Sequence, residues 1–272
     1  MAPPPQRVVL AVLGRAAAAR ACLDAACYAA GILGGARIVA MTIAADPRAG
    51  VLASEEVLTD EACAARERRS GAAVAVLHET FAAWRSGYRG ETEWIETRGD
   101  IAAEVARHGQ AVELLITAAQ TDPQDRSGAA LHAALLDTGR PVLVVPDQIG
   151  ATIGRRIAIA WHDDAPATHA VLAALPFLAA AERIWVIQGT RDATEPPPVP
   201  ALLAEHRVAA EPRAVAIGHG DVGQALLDEA RRLDADLLVM GAYAHRRFIE
   251  ALLGGVTRSI LHAADLPLLM RH

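Results

Sequence analysis

The residues whose types and spacing could hold a phosphate run from Gly241 to Thr257. They read Gly241-Ala242-Tyr243-Ala244-His245-Arg246-Arg247, then Phe248 to Leu253, then Gly254-Gly255-Val256-Thr257. An apolar segment, Asp236-Leu237-Leu238-Val239-Met240, precedes them, and a helical pattern from Val256 to His262 follows. A glycine ending a strand and a glycine pair opening a helix leave backbone N–H groups free to face an anion, with no side chain in the way. The chain contains no lysine and no asparagine, so all 26 basic residues are arginine. That excludes a P-loop lysine, a Schiff base and a kinase-type lysine. Phosphate recognition must therefore rest on backbone N–H groups, helix dipoles and arginine. Arg246 and Arg247 lie where they could neutralise a triphosphate, or could form an ordinary solvated loop.

Other constellations carry less. Gly218-His219-Gly220-Asp221-Val222-Gly223 spells GxGxxG, but it follows the third strand of its unit rather than the first. The next strand also ends Met240-Gly241-Ala242, without the acidic partner of a dinucleotide site. A turn with a helix-capping aspartate accounts for it. His162, Asp163 and His245 do not form a metal-ligand spacing, because neighbours in a loop rarely converge on one ion. No GxSxG, HExxH or paired-carboxylate pattern is present, so no catalytic nucleophile is assigned. Cys22, Cys27 and Cys63 form no CxxC and read as reduced thiols.

The elements that must position the cradle occur twice, in the same order. In the first copy, strands are expected at Val8–Leu13, Ile38–Ile43, Glu93–Glu96, Glu113–Thr117 and Pro141–Pro146. Helices are expected at Ala17–Ile32, Asp60–Ser86, from Asp100 to His108, and at Ala129–Leu136. The second copy places strands at Arg156–Trp161, Arg183–Ile187, Arg213–Ile217, Asp236–Met240 and Leu266–Met270. Its first helix is expected over Thr168–Ala181, and its second is cut to Val199–His206. Gly99-Asp100 and Gly220-Asp221 recur at matching points as turn and helix cap. Short apolar runs alternating with helical stretches predict an α/β fold with a parallel, doubly wound sheet in each half. The division falls at 1–150 and 151–272, with the join in Asp147–Gly154.

Composition narrows the class. Hydrophobic content of 53% with 21% charge describes a globular chain with ample core. The longest apolar run, Ala170–Ala181, contains Pro176 and falls short of the ~20 residues that span a bilayer. Val8–Leu13 is too short for a signal sequence and reads as a first core strand, which predicts a cytoplasmic protein without a membrane partner. Net charge is −6 with scattered arginines, which gives no support to a nucleic-acid partner.

With the duplicated halves, Gly241 and the Gly254-Gly255 helix start in place, the chain resembles the universal stress protein family in its tandem, two-domain form. Nucleotide-binding members carry glycine, two residues, glycine, nine residues, glycine, then serine or threonine. Here Gly241, Ala244, Gly254 and Gly255 occupy those positions, with the intervals kept and two residue types changed. The resemblance implies a five-stranded parallel sheet in each domain, the adenine nucleotide alpha hydrolase-like fold. It also implies dimer-like pairing of domains, here within the chain, with a homodimer as a further form. ATP or a related adenine nucleotide would lie across the strand ends of the second domain. The implied site residues are Trp161, His162, Asp163, Ile187, Gly241, Ala244, Arg246, Gly254, Gly255, Val256 and Thr257. His162 stands where binding members have an aspartate.

A left-handed turn at Ala244 costs about 1–2 kcal/mol. The missing hydroxyl at Gly255 costs about 1 kcal/mol more. Together they weaken binding on the order of a hundredfold. The first half has Ala118-Ala119 at the matching strand end and Ala129-Ala130 at the matching helix start, so it is expected to be a structural partner without nucleotide. The function expected is a non-catalytic stress-response sensor or interaction module. The alternatives are a slow nucleotide hydrolase and a ligand-free dimerising scaffold.

Overall fold

A computed structural model describes residues 6–46, 60–120, 127–191, 195, 198–217, 220–242 and 255–272. The first half runs β1 (Val8–Val12), α1 (Ala16–Ile32), β2 (Arg37–Ala45), α2 (Asp60–Gly87), β3 (Thr92–Gly99), α3 (Ile101–Gly109), β4 (Leu114–Ala118), α4 (Ser127–Asp137) and β5 (Val142–Val145). The second runs β6 (Arg156–Ala160), α5 (Ala165–Ala180), β7 (Arg183–Thr190), α6 (Ala201–Glu205), β8 (Glu211–Ala216), α7 (Val222–Arg232), β9 (Leu237–Gly241), α8 (Gly255–Ala263) and β10 (Leu268–Arg271).

The described strands form one ten-stranded sheet in the order β3-β2-β1-β4-β5-β10-β9-β6-β7-β8. Every neighbouring pair is parallel except β5 and β10, which pair antiparallel with Leu143 opposite Leu269. The family resemblance implies two five-stranded sheets. The structure joins them edge to edge across this seam.

Strand alternation divides the core into two layers. Val9 and Ala11 of β1, with Leu237 and Val239 of β9, face the layer covered by α1, α2, α5 and α6. Leu10 and Val12, with Leu238 and Met240, face the layer covered by α3, α4, α7 and α8. Both sheet faces are covered, so the central strands are largely apolar, with Thr117 of β4 a buried exception, and each large apolar side chain there contributes about 1.5–3 kcal/mol. Alanines make most of the buried face of α1, including Ala18, Ala25 and Ala29, which lets its backbone lie close to the sheet. The outer strands carry charge instead: Arg37 pairs with Glu93 on β3, and Arg183 with Glu211 on β8, 2.8 Å apart. Such side chains and Pro212 discourage further strand pairing at the edges.

The segment joining the halves is pinned. Asp236, just before β9, accepts from the Thr152 hydroxyl (2.6 Å) and from the amides of Gly154 (3.0 Å), Arg155 (3.3 Å) and Arg156 (2.8 Å). The Tyr28 hydroxyl of α1 donates to the Ala151 carbonyl.

Two helices differ from expectation. α5 begins at Ala165 rather than Thr168, because Asp164 caps it by accepting from the Ala167 amide (2.8 Å) and Pro166 suits the first turn. α6 contracts to five residues, ending where Arg207 turns to a φ of 58°.

Candidate nucleotide site

The cradle's two glycines within the described residues have different physical reasons. Gly241 ends β9 and pairs with Arg271 of β10. A Cβ there would lie 2.6 Å from the Ala167 nitrogen, 2.7 Å from the Pro166 carbonyl carbon and 2.8 Å from the Pro166 Cβ. The first turn of α5 therefore presses on the strand end so closely that only glycine fits. Gly255 opens α8 with nothing within 4 Å of a built Cβ. It is exposed, and no acidic residue stands in the first turn of α8. A helix N-terminus of this kind carries partial positive charge. Val256 is 37% exposed beside it, whereas Thr257 is buried at 7% and turns its side chain away from solvent. Ala244, Arg246 and Gly254, with Tyr243, His245 and Arg247, lie outside the described residues.

On the nucleoside side the expected residues spread apart. The Trp161 amide donates to the Ile187 carbonyl (3.0 Å), and its half-buried indole packs on the α5 and α6 layer. Ile187 is fully buried in the opposite layer, so the two meet through backbone alone, and Ile187 has no side-chain surface for a ligand. His162 projects into solvent with 83% of its side chain exposed, its Nδ1 3.0 Å from Asp164. Asp163 is exposed next to it. Asp164 was no site candidate, yet it organises this corner as the α5 cap, and its signal was Asp followed by Pro two residues later. With Pro166 lacking an N–H and the Ala167 amide taken by Asp164, the α5 N-terminus has little left to offer an anion.

Asp221 occupies the start of the GxGxxG helix as a cap. It accepts from the amides of Gly223 (2.8 Å) and Gln224 (3.2 Å), and from the Ser259 hydroxyl of α8 (2.5 Å). That hydroxyl and those amides hold its carboxyl below the usual range. Gly223 is demanded by helix packing, since a Cβ would stand 2.8 Å from the Val256 carbonyl oxygen and 2.9 Å from the Ser259 Cβ. Gly218 and His219 lie outside the described residues. Among the described residues, no group of three histidine, cysteine or acidic side chains is arranged to hold a metal.

The first half arranges its matching corner differently. The Arg15 guanidinium bonds Asp147 (2.7 Å) and the Ala119 carbonyl (3.2 Å), and the Ala119 amide donates to the Val145 carbonyl (2.8 Å). Polar groups at the end of β4 are thus satisfied within the protein.

The universal stress protein family model matches residues 155–272, the half that carries Gly241 and Gly255. Three solved structures share the fold along nearly the whole chain. A universal stress protein from Archaeoglobus fulgidus is similar at a TM-score of 0.68 and 13% identity, covering 97% of this chain and 95% of that one. A protein of unknown function from Pseudomonas aeruginosa gives 0.58 and 15%, covering 98% and 92%. A putative universal stress protein from Pseudomonas aeruginosa gives 0.57 and 16%, covering 98% and 93%. No curated protein matches the chain in sequence. No described helix is long and apolar enough to cross a membrane. Residues 155–272 thus carry a universal stress protein domain, and the whole chain shares its fold with solved universal stress proteins.

Proposed function

We propose that this protein is a non-catalytic stress-response sensor or interaction module whose second half binds ATP or a related adenine nucleotide weakly, one per chain. The reading rests chiefly on Gly241. Gly241 keeps the carboxyl end of β9 free of a side chain at the switch point between β6 and β9, where the first turn of α5 closes against it. Ligands of open parallel sheets collect at such points. The exposed N-terminus of α8 supplies the complementary partial charge for phosphate. Arg246 and Gly254, between Gly241 and Gly255 in sequence, would complete the cradle. In the first half, 1–150, we propose a partner domain whose β4 end serves structure rather than nucleotide.

Affinity should be modest, because His162 faces solvent, Asp164 is committed to its cap, and the carboxylate of Asp221 is bonded to Ser259, about one turn into α8. Melting the protein with and without magnesium-ATP tests this. A ligand at ten times its dissociation constant stabilises by about 1.4 kcal/mol. That raises Tm by about 3–5 °C in a chain of this size. No shift at millimolar ATP refutes the reading. A shift with steady phosphate release, abolished in Gly254→Val, would establish the hydrolase alternative instead.

A further inference from the structure

The first half has a crevice of its own. A cavity of about 140 Å³ opens at the carboxyl ends of β1 and β2, walled by Val12, Leu13, Thr42, Ile43, Val74 and Leu77. Helix α2 lies across it, and Ala73 of α2 is exposed at the mouth. Among the described residues lining it, none carries a charge. An ion entering would lose its hydration with nothing in return. The volume is also well below the ~300–1,000 Å³ of pockets that hold larger ligands. It is close to the ~150 Å³ of a protein cavity that holds benzene. Two hydroxyl side chains break the apolar wall: Ser70, which is not without a partner, and Thr42, which is 2% exposed and whose hydroxyl has no hydrogen-bond partner among the described residues. A buried hydroxyl left unpaired is unfavourable, so a ligand that brings one hydrogen-bonding group is preferred over a purely apolar one.

The geometry points to this crevice as a binding site for a neutral molecule of about phenol size carrying a single hydroxyl. Its apolar body rests on Leu13, Val74 and Leu77, and its hydroxyl meets Thr42 Oγ1. The site lies outside residues 155–272 and is independent of nucleotide binding in the second half.

Fluorine NMR of para-fluorophenol titrated with the full chain tests the site, with fluorobenzene as the comparator. Both probes bind saturably, para-fluorophenol more tightly. Thr42→Val weakens para-fluorophenol about fivefold, the worth of one neutral hydrogen bond, and leaves fluorobenzene unchanged. Ala73→Leu, at the exposed mouth, weakens both probes by about tenfold or more by filling the space. Ala130→Leu, from the opposite wall, repeats that result should the first leucine turn outward. Magnesium-ATP leaves probe binding unaltered. Binding that never saturates, that survives both leucine variants, that weakens equally for the two probes in Thr42→Val, or that ATP displaces overturns the proposal.

Discussion

Gly241 and Gly255 stand on either side of residues 242–254, and replacing each with alanine should move stability in opposite directions. In Gly241→Ala the new methyl group meets three atoms of Pro166 and Ala167 at 2.6–2.8 Å. Two of the three are backbone atoms, and the Asp164 cap bonded to the Ala167 amide holds that turn in place. Reaching an ordinary contact of 3.4 Å from 2.6 Å moves the α5 start by about 0.8 Å. Overpacking of this kind costs about 1–3 kcal/mol, and the rigid cap and proline place it at about 2 kcal/mol or above. Gly255→Ala adds its methyl group to open space in a helix and reduces the freedom of the unfolded chain, so it gains about 0.5 kcal/mol. Urea unfolding of both variants measures this. With an m-value of about 3 kcal/mol/M, the Gly241→Ala midpoint falls by about 0.7 M or more, while Gly255→Ala rises slightly. A Gly241→Ala midpoint equal to that of the parent protein would refute the close-approach argument. With it would fall the main support for a site built around that glycine.

Asp236→Ala should cost roughly 2–3 kcal/mol, because amides of Gly154, Arg155 and Arg156 lose their acceptor; faster proteolytic cleavage within residues 147–155 would report it. The Asp221 carboxyl, lowered by Ser259 and the α7 amides, lends stability that is fully present at neutral pH, above its unfolded pKa of ~3.9. That stability is lost as pH falls through the lower folded value. NMR titration should find Asp221 moving back toward the ordinary range in Ser259→Ala. Burial pushes the Cys22 thiol up to about 12, so its proton-linked stability holds below its unfolded pKa and is lost only as pH rises through that value. At mildly alkaline pH, peptide mapping after thiol labelling should find Cys22 unmodified in the native protein and modified only after unfolding.

The repeating alternation of apolar strand and helix was legible because both sheet faces are covered, which makes strands such as Val8–Val12 and Leu237–Gly241 apolar at every position. The two Gly-Asp turns were equally plain: Asp100 caps α3 through the Ala103 amide, and Asp221 caps α7. The antiparallel seam between β5 and β10 was not visible, since strand pairing over that separation leaves no local pattern. Asp164 was passed over because three polar residues in a row, His162 to Asp164, do not reveal which one turns back to the helix. Ile187 reads as a strand end near the ligand, yet its side chain points into the layer beneath α7 and α8. The crevice under α2 depends on where a long helix of weak apolar periodicity settles, and that is decided by tertiary packing around Val74, Leu77, Phe81 and Trp84.

Isothermal titration of the intact protein with magnesium-ATP tests the central claim most directly. The account predicts saturable binding at one nucleotide per chain, weakened in Gly254→Val and unaffected by Ala73→Leu in the first half. Absence of binding at millimolar ATP would contradict a nucleotide site in the second half, and two equivalents per chain would contradict a first half without one.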